Sequence, residues 1–327
     1  MLALTSQAEG KMNRRAHILV VGSFAAGLTM KVDRFPTAGE TVLGSDYRTD
    51  HGGKGSNQAV GCARLGAKVR FLARIGKDPF GEMALELYRQ EGVDTTWVKQ
   101  IAELPTGVGF ILVKADSGEN SIALDPGAND LLAAADVAES DAALTSADVV
   151  LTQLEIPAGA AEAAMARGRG HGAITILNPA PARPLHPAAL QNVDILTPNE
   201  AEAKVLLGHR PEAGIEASQL ARELLRLGPR NAVVTLGEQG AFIATRTWEK
   251  RVPAIKVPAV DTTGAGDAFN AGLAVALAHG ADLEAAVNLA VITGGLAVTK
   301  DGVVPALPRW AEIVAYCERC GLPTPKW

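Results

Sequence analysis

The run HILVVG at residues 17–22 is a continuous stretch of β-branched residues and leucine that ends in glycine. A strand of this composition is typical of a parallel sheet buried on both faces. Similar short runs follow helix-like segments later in the chain and end in polar residues or glycine: VRFLARIG at 69–76, ADVVLTQLE at 147–155, AITILN at 173–178, DILTPN at 194–199 and NAVVTLG at 231–237. This alternation predicts an α/β fold with right-handed βαβ units and ligands at the carboxyl ends of the strands.

Two segments interrupt that alternation. Residues 25–51 contain Pro36 and Gly39 among short alternating stretches, and GVGFILVKADSGENSIAL at 107–124 has two strand-like runs around a polar turn, which predicts a hairpin. Strands inserted into such chains rarely join the parallel sheet. We therefore expect a small antiparallel β lid, formed by insertions at about 25–51 and 104–126, over one end of a mostly parallel central sheet flanked by helices.

The composition narrows the class of protein. The 327 residues are 47% hydrophobic but only 4% aromatic, which fits helices packed on buried aliphatic strands. A net charge of -5 without Lys/Arg clusters argues against a nucleic-acid partner, and no apolar run approaches the roughly 20 residues of a membrane span. We expect a cytoplasmic protein with a disordered leader at 1–15 and a single domain at 16–327.

Three cysteines cannot form a paired disulfide framework. Cys317 and Cys320 form a CxxC motif in the helix-like segment AEIVAYCERC, but a zinc site needs four ligands and no second Cys or His pair has suitable spacing. We interpret them as two thiols on a C-terminal helix.

The stretch DTTGAGDAFNAG at 261–272 places an acid, Asp267, after a glycine pair at the head of an Ala-rich, helix-like run. The backbone amides of residues 264–266 would converge at a helix N-terminus, where they can hold an anion. The helix dipole stabilises a carboxylate there, which could accept a proton from a positioned hydroxyl. An anion hole beside a base suits phosphoryl transfer to an alcohol, whereas an isolated motif of this kind is more often a simple helix cap.

A second glycine-rich turn, HGGKGSNQA at 51–59, also enters a helix. It is not a Walker A loop, because Arg48 occupies the first glycine position and Gly55 follows Lys54 where Ser or Thr is needed. GSFAAGLT after the first strand lacks the lysine of such a loop, and no GxGxxG dinucleotide motif follows that strand.

Polar residues or glycines also stand where four later strands are predicted to end. Each alone is more simply a cap, a turn or a solvated charge. Their repeated placement at one sheet edge is the stronger signal, because that edge binds ligands in such folds. These residues are Glu155, Asn178, Asn199 with Glu202, and Thr235 with Gly237 and Gly240.

Six stretches together resemble the ribokinase family of sugar kinases, over the chain from about residue 16 to its end: HGGKGSNQAVGCARLG, TQLEIP, NPAPAR, TPNEAEA, VVTLGEQGA and VDTTGAGDAFNAG. The resemblance implies ATP-dependent phosphorylation of a sugar hydroxyl, with D-ribose to ribose 5-phosphate as the leading reaction. It also implies a β lid that forms a homodimer contact.

The resemblance assigns roles to individual positions. Asp267 matches the catalytic base, and Gly264, Ala265 and Gly266 match the anion hole. The positions that match sugar-binding residues are Gly53, Lys54, Asn57 and Glu155, together with Asp267 itself. Those that match ATP-binding residues are Asn199, Thr235, Leu236, Gly237, Gly240 and Gly266, while Glu202 matches an acid that helps to organise Mg2+. The family's K+ loop, which binds largely through backbone carbonyls, falls on Asp261, Thr263, Ala297, Lys300 and Gly302.

The chain departs from the family pattern after the first strand, where GSFAAG has Ala25 for an asparagine and Gly27 for an aspartate that normally bind sugar hydroxyls. Losing such contacts costs about 1–3 kcal/mol each, enough to change the preferred sugar. Asp33 cannot simply replace the aspartate, because six extended residues span roughly 20 Å. Ala306 and Val291 also depart from the pattern, but neither threatens the reaction.

Two alternatives to ribose phosphorylation remain open. The same chemistry could act on another pentose, deoxyribose or a nucleoside. A non-catalytic sugar-binding protein on the same fold is the second, although an acid in register with an anion hole argues for catalysis.

Overall fold

The computed structural model describes residues 15–183 and 185–324 of the chain. In chain order the strands are β1 His17–Val21, β2 Ala25–Val32, β3 Gly44–Gly52, β4 Lys68–Gly76, β5 Asp94–Ile101, β6 Gly107–Lys114, β7 Asn120–Asp125, β8 Val149–Thr152, β9 Ile174–Leu177, β10 Ile195–Leu196, β11 Asn231–Thr235, β12 Ala241–Ala244 and β13 Glu249–Val252. The helices are α1 Lys54–Arg64, α2 Pro79–Glu91, α3 Ala134–Glu139, α4 Asp141–Thr145, α5 Ala158–Gly170, α6 Pro187–Leu190, α7 Glu200–Leu207, α8 Ala217–Arg226, α9 Ala265–Ala278, α10 Leu283–Ala297, α11 Val303–Ala306 and α12 Trp310–Cys320.

The large sheet has the strand order β13-β12-β11-β10-β9-β8-β1-β4-β5. In this spatial order, β11, β10, β9, β8, β1, β4 and β5 each pair in parallel with their neighbours, and β12 and β13 extend one edge as antiparallel strands. β1 lies between β8 and β4, which explains its continuous apolar run, since residues 18–21 are at most 1% exposed. The prediction of a mostly parallel α/β sheet is confirmed.

Helices cover both faces of this sheet. Ile18 and Val20 of β1 lie in the apolar core formed with α1, α2, α9, α10 and α12. Leu19 and Val21, which point to the other face, lie in the core formed with α3, α4, α5 and α8. The result is a three-layer structure in which the carboxyl ends of the parallel strands share one edge.

The predicted lid is a separate sheet of four strands in the order β3-β2-β6-β7. The hairpin predicted at 107–124 is confirmed as the antiparallel pair β6 and β7, and β2 and β3 form a second antiparallel pair. β2 and β6 join the two insertions as parallel neighbours from Ala25–Gly107 to Val32–Lys114. Since β2 begins four residues after β1 ends, the lid lies at the carboxyl edge of the large sheet.

The expected leader falls almost entirely on residues 1–14, which lie outside the described residues. Within the described part of the chain, no helix is long and apolar enough to cross a membrane. Cys317 and Cys320 lie on α12, one buried and one exposed, and no cluster of three or more His, Cys, Asp or Glu side chains that could hold a metal occurs among residues 15–183 and 185–324.

A glycine contact fixes the separation of α1 and α9. A Cβ at Gly61 of α1 would lie 2.8 Å from the Cβ of Ala271 in α9, closer than real side-chain contacts. At the start of α1, a Cβ at Gly55 would also overlap Gly22 and Ser23 at the end of β1. Small residues therefore let α1 approach both β1 and α9 closely.

We expect Gly61→Ala to lower the free energy of unfolding in urea, because overpacking costs about 1–3 kcal/mol and exceeds the gain in helix propensity of about 0.5–1 kcal/mol. Gly159→Ala in α5 is the matched control, since a Cβ there meets no atom within 4 Å. It should raise the free energy of unfolding. Equal stabilisation by both substitutions would contradict the close packing of α1 on α9.

Candidate active site

The predicted anion hole lies at the start of α9. Gly264 is the N-cap with φ 79°, a left-handed conformation that favours glycine, and a Cβ there would lie 2.5 Å from Val303 Cγ1. The helix begins at Ala265, so Asp267 is its third residue and not its first. The amide of Ala265 donates to Thr262 O at 3.3 Å, whereas those of Gly264 and Gly266 meet no acceptor among the described residues. Those two amides can bind an anion.

Asp267 is 5% exposed and receives a hydrogen bond on each carboxylate oxygen. Asn57 Nδ2 donates to Oδ2 at 2.9 Å, and Gln58 Nε2 donates to Oδ1 at 2.9 Å. Both donors lie in the first turns of α1, so the glycine-rich turn at 51–59 and the stretch at 261–272 meet in one site. Each oxygen keeps a further lone pair that can accept a bond from a substrate hydroxyl.

Gln58 was not among the predicted site residues. Its Nε2 also donates to Asn178 Oδ1 at 3.1 Å, and its Oε1 accepts from Gln153 Nε2. Asn178 Nδ2 in turn donates to Thr197 O at 3.1 Å. The sequence places Gln58 directly after Asn57, and Gln153 and Asn178 at the ends of predicted strands, but no local pattern joins these three amides, which are far apart in the chain.

Glu155 holds the start of α1 against the end of β1. Its Oε2 accepts a 2.6 Å bond from Ser23 Oγ and a 2.8 Å bond from the backbone amide of Lys54. Burial lowers the pKa of the Lys54 ammonium, but attraction to Asp267, Glu155 and Glu202 outweighs burial and leaves the pKa above its ordinary value. The site therefore contains a cation among three carboxylates.

The predicted nucleotide-side residues lie at the ends of β10 and β11. Asn199 is the N-cap of α7 and forms a capping box with Glu202, with reciprocal 2.8 Å bonds between each side chain and the other backbone amide. Asn199 also forms a parallel bridge with Thr235. Burial raises the pKa of Glu202, and the charge of Asp267 adds to that effect.

The glycines after β11 form a tight turn. Gly237 has φ 54° and Gly240 has φ 91°, and the amide of Leu236 donates to Gly240 O at 2.8 Å. A Cβ at Gly240 would overlap Val252 O, whereas the space beside Gly237 is open. The turn leaves backbone accessible next to Thr235 at the carboxyl edge of the sheet.

The residues predicted to bind K+ come from two loops that meet beside the anion hole. Asp261 Oδ1 accepts from Thr263 N at 2.9 Å and Oδ2 from Gly302 N at 3.2 Å. Burial raises the pKa of Asp261, but these hydrogen bonds outweigh it and hold the pKa below its ordinary value. Lys300 Nζ donates to Glu312, so only its backbone remains for the loop, and Ala297 ends α10 where carbonyls lack helical partners.

The arrangement fits the metals that the sequence suggests. Loop carbonyls and one carboxylate are oxygen ligands of the kind that K+ prefers. Mg2+ usually keeps several waters and binds through one or two carboxylates and substrate phosphates, so Glu202 near Asp267 suits it without a protein cage.

A buried acid beside free glycine amides, at the carboxyl edge of a parallel sheet and below a β lid, defines a phosphotransferase that acts on an alcohol group. The chain matches the pfkB family carbohydrate kinase model over residues 15–310, and it belongs to that family.

Its relatives are named sugar kinases. The chain is 37% identical over 304 residues to a ribokinase of Haemophilus influenzae, covering 93% of this chain and 99% of that protein. It is 36% identical to a deoxyribokinase of Salmonella typhi, covering 91% and 98%. The structure of Arabidopsis thaliana ribokinase complexed with ribose and ATP superposes with a TM-score of 0.86 at 30% identity, covering 92% and 98%.

We expect Glu202→Gln to stabilise the protein at pH 7, because the raised pKa means that folding disfavours the charged form. Glutamine can keep the capping box. A raised folded-state pKa favours folding at low pH, so the advantage of the variant should shrink as the pH falls through the folded pKa towards the ordinary value of 4.5.

Urea unfolding of both proteins between pH 4 and pH 8 measures this. Glu200→Gln, at an exposed position in the same helix turn, is the control and should show no such trend. A Glu202→Gln variant less stable than wild type at pH 7 would contradict the assigned burial.

Proposed function

We propose that this chain transfers the γ-phosphate of ATP to a hydroxyl of a pentose, with D-ribose to ribose 5-phosphate as the leading reaction. The observation that supports this proposal most strongly is the Asp267 carboxylate, which Asn57 and Gln58 hold next to two glycine amides that have no acceptor among the described residues. A base held in this way can take the proton of a hydroxyl as it attacks phosphorus.

The other groups divide between the two substrates. Asn57 Oδ1 is buried and accepts no hydrogen bond from the described residues, so a sugar hydroxyl can donate to it. We assign the sugar to Gly53, Lys54, Asn57 and Glu155, and ATP to the backbone and side chains at Asn199, Thr235, Leu236, Gly237, Gly240 and Gly266. The amides of Gly264 and Gly266 then stabilise negative charge on the transferred phosphoryl group, and Ala265 positions them.

Two metal ions complete the proposal. Glu202 would help to hold Mg2+, which neutralises phosphate charge when bound. The loops that carry Asp261, Thr263, Ala297, Lys300 and Gly302 would hold K+ and so fix the start of α9. The phosphorylation assay in potassium chloride and in choline chloride at equal ionic strength tests this assignment, which fails if the two rates are equal.

A second candidate substrate is deoxyribose. Ala25 and Gly27 offer no polar side chain to a sugar hydroxyl, and a deoxyribokinase is among the similar proteins. Another pentose or a nucleoside would use the same base and anion hole. A catalytically silent sugar-binding protein is the alternative that the Asp267 geometry disfavours.

Assembly and location form a further part of the proposal. The lid exposes Leu43, Tyr47 and Phe110, and the outer edges of β3 and β7 have no partner strand among the described residues, so we propose a homodimer through the lid. Sedimentation of a Phe110→Ser variant tests this, because it should shift the chain towards monomer. The three cysteines are free, in keeping with a reducing, cytoplasmic location.

Asp267→Asn should lower kcat for sugar phosphorylation by roughly 10²–10⁴-fold, because the loss of a positioned base has an effect of that size. The KM for ATP should change little, because the amides of Gly264 and Gly266 remain. ADP release with MgATP, potassium and a panel of pentoses, deoxypentoses, hexoses and nucleosides provides the measurement.

Asp282→Asn is the matched control. Asp282 caps α10 by accepting a 2.8 Å hydrogen bond from Ala285 N, and it forms no hydrogen bond with the proposed site residues among those described. It should retain the wild-type rate. If no sugar stimulates ADP release by the wild-type protein above the Asp267→Asn level, the kinase function is wrong.

A further inference from the structure

Strand β2 of the lid has Gly27 where the family pattern has an aspartate, and the neighbouring strand β3 carries the carboxylate of Asp50. β2 and β3 pair antiparallel, with Gly27 opposite Asp50 and Ala25 opposite Gly52. Directly opposed residues point to the same face of a sheet. A Cβ built at Gly27 would lie 3.7 Å from the Cβ of Asp50, so the Asp50 side chain occupies the space beside the missing one.

Nothing in the backbone requires glycine at position 27. Its φ is not in the left-handed region, unlike that of Gly39 or Gly53. A Cβ there would make only ordinary contacts of 3.6 to 3.7 Å, with Asp50 and with Ile111 Cδ1. A side chain at position 27 would therefore fit without overlap, and glycine leaves that room to a substrate or to another side chain.

The face that carries Asp50 is turned towards the catalytic loops. Arg48, two residues earlier on the same face of β3, pairs with Asp50 through Nε to Oδ2 at 2.9 Å. Its Nη1 reaches Asp301 Oδ2 at 3.0 Å, and Asp301 precedes Gly302, whose amide binds Asp261. Arg48 thus links Asp50 to the loops beside the anion hole.

We propose that Asp50 is the lid residue that binds the hydroxyls of the sugar and determines which sugar is preferred, an inference that rests on the proposed kinase function. The Asp50 side chain is 39% exposed, and Arg48 contacts its Oδ2. No hydrogen bond to Oδ1 occurs among the described residues, so Oδ1 can accept one from a sugar hydroxyl, and Arg48 fixes the direction in which the carboxylate points.

The placement of Asp50 has a consequence for substrate choice. Around Gly27 this face consists of Gly109 and Ile111 of β6 and Leu124 of β7, and the buried Thr29 lies two residues further along β2. A sugar bound beside Gly27 meets the Asp50 carboxylate over β3, but neither Ala25 nor Gly27 of β2 offers it a polar side chain. A sugar that lacks the hydroxyl beside Ala25 and Gly27 loses no contact with those two residues, so the lid should discriminate weakly against such a deoxy sugar.

The test measures kcat and KM for the best sugar of the panel, and for its deoxy analogue, in Asp50→Ala and Asp50→Asn. We expect Asp50→Ala to raise the KM for the sugar by roughly tenfold or more, because a charge-assisted contact is lost, with the KM for ATP unchanged. Asp46→Asn is the matched control, because Asp46 is an exposed aspartate of β3 that pairs with Lys31 at 2.9 Å, and it should leave both KM values unchanged.

Two further variants separate sugar binding from a structural role. Gly27→Asp in the Asp50→Ala background returns a carboxylate to the same face of the lid, one strand away, and should recover part of the lost affinity for sugar. Arg48→Ala removes the partner but keeps the carboxylate, so its effect on the KM for the sugar should be smaller than that of Asp50→Ala. Thermal unfolding shows whether each variant is folded.

The kinetic results distinguish a failure of the Asp50 assignment from a failure of the proposed kinase function. If the wild-type enzyme is active and Asp50→Ala changes the KM for the sugar by less than twofold, the assignment of Asp50 is wrong, but the kinase function stands. The assignment is also wrong if Arg48→Ala raises the KM for the sugar as much as Asp50→Ala does and Gly27→Asp recovers no affinity. Asp50 would then only hold Arg48 in place. A wild-type protein inactive on every sugar is instead a failure of the proposed function.

Discussion

The two hydrogen bonds from Asn57 and Gln58 to Asp267 connect the parts of this protein that do chemistry. A buried carboxylate is costly unless it is hydrogen-bonded, so the position of α1 and that of Asp267 depend on each other. The contact of Gly61 with Ala271 brings α1 and α9 close enough for these bonds. The amide network behind Gln58 then ties the pair to the ends of β8 and β9, so that the sheet fixes the base.

The charged groups of this site lower the stability of the folded protein. Glu202 is held in a place where burial raises its pKa, and Lys54 keeps its charge because three carboxylates surround it. Charges that are incompletely compensated in the free protein can be neutralised when phosphates and a metal ion bind. The site therefore gives up some stability for groups that are ready to bind substrates, as is common at functional sites.

Local patterns in the sequence carried much of the fold. Continuous apolar runs such as residues 17–22 predict buried parallel strands, and glycines before Asp267 predict an anion site at a helix start. Both follow from chemistry within a few residues. The parallel pairing of β2 with β6 could not be predicted in this way, because it joins segments about 80 residues apart through backbone bonds that leave no local pattern.

The same limit explains what was missed in the site. Gln58 gained its role only when α1 met α9, and an amide side chain after Asn57 has no distinctive local signature. Asp50 was hidden for a similar reason, since its relation to Gly27 is a matter of register between strands. The sequence shows that position 27 lacks the carboxylate of the family pattern, whereas the structure shows that Asp50 lies directly opposite Gly27.

A crystal structure with the preferred sugar, Mg2+ and an ATP analogue whose γ-phosphate cannot be transferred tests the central claim most directly. We expect a sugar hydroxyl about 2.6–3.2 Å from a carboxylate oxygen of Asp267, with the γ-phosphate on the amides of Gly264 and Gly266. A sugar bound away from Asp267, or phosphates that leave those amides unoccupied, would contradict it.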